Sequence, residues 1–301
     1  MENGVEWSKI QKKLSVTILL LKISVWMNRF WLLSGHTERG LGPQEMGYTR
    51  NMSITYFQAQ GERHYQEDRL VAQTIKLNEL ELTILAVMDG HGGGETSEML
   101  SKALVGTIMQ SIHEVGYNWG VILKDSVAQL NNMTQHMTSG STLSLVLLLE
   151  HEKIAHVAVI GDSPIIILDT SGRLNLSPDH NARSNEIERQ AAINRGATYD
   201  NQYLRDPVTG DGLQMSRSMG DSTMASFLSR EPDVYDVELG PHSFVIVASD
   251  GVLDPFHEDT SSQERRLAEM VAKGADAKTL VEDALARKTG DNATAIVLKS
   301  Q

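Results

Sequence analysis

The 301-residue chain contains no cysteine. That excludes disulfides, thiolate-held zinc and a cysteine nucleophile. It also suits a reducing compartment, so a cytoplasmic location is expected. Positive charge is scarce: 27 Lys and Arg stand against 39 Asp and Glu, for a formal net charge of −12. Phosphate backbones reward basic surfaces, so no nucleic-acid partner is expected. Residues 52–301 carry no repeat, low-complexity tract or linker, and they read as one domain. Nothing marks an oligomer, and a monomer is expected.

What is present is an ordinary globular balance, 41% apolar and 22% charged, with apolar runs enough for a sizeable core. Residues 1–51 differ. They hold seven Lys and Arg against four Glu, and three of the four Trp: Trp7, Trp26 and Trp31. The apolar stretch 14–33 is broken by Lys22, Asn28 and Arg29. A spanning helix wants about 20 mostly apolar residues, and a central Lys costs roughly 2.5–3.5 kcal/mol. No small-residue cleavage site follows the stretch. Leu14, Ile18, Leu21 and Val25 share one helical face and Lys22 and Arg29 another, the pattern of a helix lying on a membrane surface. Residues 1–51 are expected outside the fold, as a leader or over-extended translation start. A membrane-associated segment and a structural extension are the alternatives, and membrane association is expected only through these residues.

In the remainder, short runs rich in β-branched residues predict strands: Leu82–Met88, Leu143–Leu149, Ile154–Ile160, Pro164–Leu168 and Phe244–Ala248. They alternate little, so each sheet is expected to be covered on both faces. Helices are predicted over Glu95–Val115, Trp119–His136, Ser184–Arg195, Ser262–Lys273 and Ala277–Lys288. Ser261 with Glu264 has capping-box spacing, Gly274 suits the end of that helix, and Asp276 suits the start of the next. The order fits an α/β (α+β) fold of two packed sheets flanked by helices better than regular strand-helix alternation.

Three of these strands run straight into an acidic turn: Asp89-Gly90, Gly161-Asp162 and Asp250-Gly251. Asp291 precedes the strand candidate 293–298, and Glu67-Asp68 lies between two more. A carboxylate at the end of a rigid strand is accurately aimed, and a following glycine lets carbonyls or water approach. Oxygen-only donors suit hard cations such as Mg²⁺ and Mn²⁺. Gathered without a cation, such carboxylates repel one another. Taken singly, an Asp-Gly pair is more often a plain turn.

The ordered motifs Arg63–Asp68, Met88–Gly93, Ser139–Thr142, Gly161–Ser163, Pro178–His180, Met215–Asp221, Ser249–Asp254 and Asp291–Thr294 resemble the metal-dependent, type 2C (PPM-type) protein serine/threonine phosphatases. The resemblance covers about residues 53–299. It implies a four-layer α-β-β-α sandwich with two mainly antiparallel sheets, and a centre for two Mg²⁺ or Mn²⁺ ions at one end of them. Carried over by position, it implies Asp68, Asp89, Asp250 and Asp291 as ligands, with Asp89 bridging and the Gly90 carbonyl as a further ligand. Glu67 is implied to act on the attacking water, Arg63 to grip the substrate phosphate and His91 to protonate the leaving alkoxide. Asp162 and Asp254 match positions tied to a weaker third ion. The implied substrates are phosphoproteins.

The residue chemistry agrees. Two divalent ions activate water for direct attack on phosphorus, so a chain without cysteine is adequate. Arg offers a phosphate paired, charge-assisted hydrogen bonds. An alkoxide is a poor leaving group, and imidazole is a suitable acid near neutral pH. His64, His180 and Arg217 are expected to be structural. One departure stands out: Pro164 follows Gly161-Asp162-Ser163, where the family often has Arg. The Gly-Asn-His-Glu and Asp-x-Asp-x-Thr elements of two other phosphatase classes are absent.

Overall fold

The computed structural model describes residues 44–49, 52–77, 80–149, 151–253 and 259–300. Contacts divide the chain into Met1–Gly40 and Leu41–Gln301, and every described residue belongs to the second unit. The apolar stretch 14–33 and Asp254 lie outside the described residues. Among the described residues, no helix is long and apolar enough to cross a membrane.

Two large sheets face each other. One has six strands in the order β1 (Gln44–Thr49), β2 (Met52–Ala59), β17 (Ala293–Ser300), β16 (Phe244–Ala248), β9 (Ile165–Leu168) and β10 (Leu174–Leu176). The other has five: β15 (Asp233–Glu238), β8 (Ile154–Ile160), β7 (Leu143–Leu149), β4 (Leu80–Met88) and β3 (Arg69–Leu77). Two small sheets join β14 (Met219–Gly220), β6 (Gly140–Ser141) and β5 (Gly90–His91), and β11 (Thr198–Asp200), β12 (Tyr203–Arg205) and β13 (Gly212–Leu213). Neighbouring strands pair antiparallel throughout. The expected two-sheet α+β class is the one found. One expectation is corrected: Gln44–Thr49 fall in the segment expected outside the fold, yet they pair with β2. Their backbone donors and acceptors complete the edge of the sheet.

Among the described residues the α-helices are α1 (Glu95–Val115), α2 (Trp119–Thr134), α3 (Glu186–Asn194), α4 (Thr260–Ala272) and α5 (Ala277–Ala286). Strand β4 shows why the apolar runs do not alternate with polar residues. Its Leu82, Ile84, Ala86 and Met88 pack with Leu100, Leu104 and Ile108 of α1 and Ile122 and Leu123 of α2. Its Leu85 and Val87 face the other sheet, beside Ile165, Ile167, Val245, Val247 and Ile296. On the far side, Ile246 and Val297 pack against Leu267 and Val271 of α4 and Leu280 and Val281 of α5. Helix, sheet, sheet and helix thus make four layers, and both faces of each main sheet are buried.

The register brings one end of each sheet together. Arg69 opposes Met88, so β3 starts where β4 ends. Leu143 opposes Ile160, which puts the end of β8 at the same edge. The short link 161–164 then passes from β8 in one sheet to β9 in the other. There Ile165 pairs with Val247, next to the end of β16 and the start of β17.

Leu85 is fully buried between the sheets. Leu85→Ala is expected to cost about 2–5 kcal/mol through lost burial and a residual cavity. Urea unfolding checks this, and a loss below about 1 kcal/mol would contradict the inter-sheet core.

Candidate active site

The acidic residues predicted at strand ends meet at this common edge. Asp68 precedes β3, Asp89 follows β4, Asp162 follows β8, Asp250 follows β16, and Asp291 precedes β17. Their mutual influence shows the convergence. Burial raises the Asp68 carboxyl to about 6, with Asp291 adding repulsion against hydrogen bonds from Thr294 and Ser249. Burial and then Asp291 raise Asp250 to about 6 as well. Asp89 stands well above the ordinary range, through burial first and then the charges of Asp68, Asp250, Asp291 and Asp162. Asp89 alone feels the charges of all four other acids, which makes it the middle member. Burial, Asp250 and Asp179 raise Asp162 to about 7.

Neighbouring residues hold these carboxylates in place. Thr294 Oγ1 donates to Asp68 Oδ2 at 2.7 Å, and the Asp89 N–H donates to Thr142 Oγ1 at 3.0 Å. Asn292 ties the segment before β3 to the start of β17. Its Nδ2 donates to the carbonyls of Gln60 and Tyr65, and its Oδ1 accepts the Glu67 N–H. Glu67 in turn accepts the Gly93 N–H through Oε1 at 2.7 Å. A Cβ at Gly90 would sit 2.4 Å from the Glu67 carbonyl oxygen, so only glycine lets the Glu67 segment pack against β5.

Arg63 lies half-exposed at the rim. Its guanidinium donates to Asp291 Oδ2 at 2.6 Å and to the Gly290 carbonyl at 3.0 Å. His91 reaches the buried Asp221, with Nε2 and Oδ2 2.8 Å apart. Burial works against the imidazolium, but the Asp221 hydrogen bond and the charges of Asp221, Asp162 and Glu67 outweigh it and raise the His91 pKa. The two side chains meet over Gly140, where a Cβ would lie 2.1 Å from both His91 Nε2 and Asp221 Oδ2. Asp221 is itself held by Ser218 Oγ at 2.5 Å and by its own N–H on the Ser139 carbonyl at 3.0 Å. Arg230 binds the carbonyls of Ser218 and Gly220 around it.

Of the residues expected to be structural, His180 and Arg217 have structural partners. Buried His180 accepts the Gly161 N–H through Nδ1, so its Nε2 donates to Asp233, 2.9 Å away. This fixes the turn that carries Asp162. Arg217 forks onto Glu188 and donates to the Glu231 carbonyl. Asp221 and Asn292 lie inside quoted motifs, but no strand-end pattern distinguishes them; only contacts between distant segments reveal what they do.

Whether the centre suits metal turns on its donors. Among the described residues, no three His, Asp or Glu side chains are already arranged as ligands around one point. Asp68 Oδ1 and Asp162 Oδ1 are, however, buried without a hydrogen-bond partner among the described residues. Buried acceptors of this kind are costly unless a cation or donor meets them. Repelling carboxylates with free buried oxygens fit a hard divalent cation. Asp68, Asp89, Asp250 and Asp291 are the oxygen donors gathered at this edge, with Asp162 at their side and the Gly90 carbonyl directly after Asp89.

Residues 52–293 match the family model of protein phosphatase 2C, and the chain belongs to that family. It is 27% identical over 258 residues to rice (Oryza sativa subsp. japonica) probable protein phosphatase 2C 52. That match covers 83% of this chain and 51% of the rice protein, so the chain spans about half its length. It is 28% identical to Arabidopsis thaliana probable protein phosphatase 2C 17, over 78% of this chain and 84% of that one. A crystal structure of serine-threonine phosphatase 2C from Toxoplasma gondii superposes with a TM-score of 0.68 at 20% identity, covering 86% and 99% of the two chains. The catalytic domain of the phosphatase PstP, in complex with two manganese ions, superposes with a TM-score of 0.55 at 20% identity, covering 83% and 98%.

The raised carboxyls carry a sign. A group with a raised folded pKa adds stability below its unfolded pKa, near 4, and loses it as pH climbs through the folded value. For Asp68, Asp250 and Asp162 that loss falls between about 4 and 7. The stability that saturating Mn²⁺ adds over EDTA should therefore grow from about pH 5 to about pH 7.5. Urea unfolding at both pH values tests this, and an Mn²⁺ effect that is flat or falling with pH would contradict it.

Proposed function

We propose that the chain hydrolyses phosphoserine and phosphothreonine in proteins by direct attack of water on phosphorus, without a covalent intermediate. The observation that carries the proposal is the set of four mutually repelling carboxylates, Asp68, Asp89, Asp250 and Asp291, with Arg63 and His91 beside them. Mg²⁺ or Mn²⁺, two per site, supply activation of water and neutralisation of phosphoryl charge when bound. Asp162, with one partnerless oxygen, is the residue in the described structure that supports a weaker third ion.

The other roles belong to protein groups. Arg63 stands at the rim with its charge held by Asp291, ready to turn its fork onto a phosphate. Glu67, anchored by the Gly93 N–H through one oxygen, uses the other to orient the attacking water. His91 donates a proton to the serine or threonine alkoxide. With Nε2 committed to Asp221, Nδ1 is the nitrogen left for that transfer.

The purified protein should release phosphate from a phosphothreonine peptide with Mn²⁺ or Mg²⁺ and stop with EDTA. Asp250→Asn should lose at least about a hundredfold in turnover while its EDTA-treated form unfolds no earlier than wild type. Metal-independent turnover, or wild-type turnover in the variant, would refute the centre. The leaving group tests His91 and Asp221 separately. His91→Ala should lower phosphothreonine turnover by about 10²–10⁴ but spare p-nitrophenyl phosphate far more, since nitrophenolate departs without a proton. Asp221→Asn should show the same substrate dependence with a smaller loss. Equal losses on both substrates would remove His91 from the acid role.

A further inference from the structure

The expected capping-box residue Glu264 does not cap its helix. Asp259 holds that place, its side chain accepting the Ser262 N–H. Glu264 turns inward instead and is only 4% exposed. Among the described residues its carboxylate has neither a hydrogen bond nor an ion pair. It lines a cavity of about 690 Å³ together with Leu176, Asp179, Arg183, Ile187 and Asp259.

A buried carboxylate without a partner is costly. Burial first, then Asp179 and Asp259, raise the Glu264 carboxyl to about 8, with Arg265 opposing. The other acids of the lining are engaged or in water: Glu186 is exposed and faces Arg189 at 3.6 Å. Asp179 accepts from the Asn181 N–H at 2.8 Å and from Ser184 Oγ at 2.5 Å. Asp259 accepts from Ser262 through both its oxygens. Arg183 is the one cation in the described lining, and its charge is not among those acting on Glu264. The cavity adjoins the catalytic centre: Asp179 in its wall accepts the Asn181 N–H, and Asn181 Nδ2 donates to Asp162 Oδ2 at 2.9 Å.

We propose that this cavity receives a lysine or arginine side chain of the phosphoprotein substrate, with Glu264 as its counter-ion. The inference rests on the phosphatase reading and narrows its substrates to phosphoserine or phosphothreonine in a basic sequence. The volume far exceeds that of a single ion. A long cationic side chain lays its apolar stem on Leu176 and on Ile187, which is 81% exposed, while its head reaches inward. There it meets the Glu264 carboxyl, which releases its proton to solvent as the cation arrives and then holds the cation by a charge-assisted bond. Among the described residues the Arg183 guanidinium has no partner, and it can donate to main-chain carbonyls of the same substrate segment.

The test uses phosphothreonine peptides that differ at one position, Lys against Ala against Glu, scanned along both sides of the phosphoresidue with Mn²⁺ present. Wild type should show one position where Lys raises kcat/KM about tenfold over Ala, chiefly through KM. Glu264→Gln, a near isostere, should bring that ratio close to one by raising KM for the Lys peptide. Thermal melting checks that the variant is folded, and the wild-type scan decides without any variant. A scan with no basic preference overturns the proposal, as does a preference that survives Glu264→Gln. Preference for Glu over Lys would give the cavity to Arg183 and an acidic segment, which also overturns it. p-Nitrophenyl phosphate separates the two readings. No turnover of it or of any peptide defeats the phosphatase reading, whereas turnover without basic preference defeats this one alone.

Discussion

Repulsion among the carboxylates of Asp68, Asp89, Asp250 and Asp291 is the constraint on which the rest of the structure depends. Chains do not gather like charges out of water without a force that holds them there. Here the force is the double-sided burial of the central strands. Leu82, Ile84, Leu85, Ala86, Val87 and Met88 are all fully buried, so β4 has no freedom to swing Asp89 away from its neighbours. The hydrophobic layers thus oppose an electrostatic cost, and the centre stores affinity for divalent cations in the form of that cost.

The antiparallel order of both sheets makes the gathering possible. Antiparallel pairing places a strand start beside a strand end, so Asp68 and Asp89, twenty-one positions apart, flank the same rung. The same geometry sets Asp250 beside Asp291 across β16 and β17. The link through Asp162 then joins the two sheets at that edge. Polar partners finish the arrangement: Thr142, Thr294 and Asn292 each hold a carboxylate or its backbone from another segment.

Much of this was legible along the chain, for a definite reason. Runs such as Leu143–Leu149 are apolar at every position but Ser144 because helices cover one face and the second sheet covers the other. Aspartates directly after such runs inherit the rigidity of the strand. Other features were not legible. Ser261 and Glu264 have capping-box spacing, but Asp259 sits nearer the first turn, and its carboxylate takes the cap. Glu264 is thereby released to a cavity that no spacing rule announces. Gln44–Thr49 looked like part of a foreign leader, because residues 1–51 are basic and tryptophan-rich as a block; strand pairing is decided by the neighbouring edge, not by composition.

The sequence by itself determined the local facts: where strands and helices form, which residues end them, and that the acids are oxygen donors with no thiol among them. Those follow from side-chain size, branching and charge, which act over a few residues. The tertiary structure alone decided which acids face one another, that Asp221 holds His91 from 130 positions away, and that Arg63 leans on Asp291. Such contacts depend on the order and register of strands, which arise from burial summed over whole sheets. No window of sequence contains that sum, and so the Asp89 turn becomes part of a site only when both sheets close over their shared core.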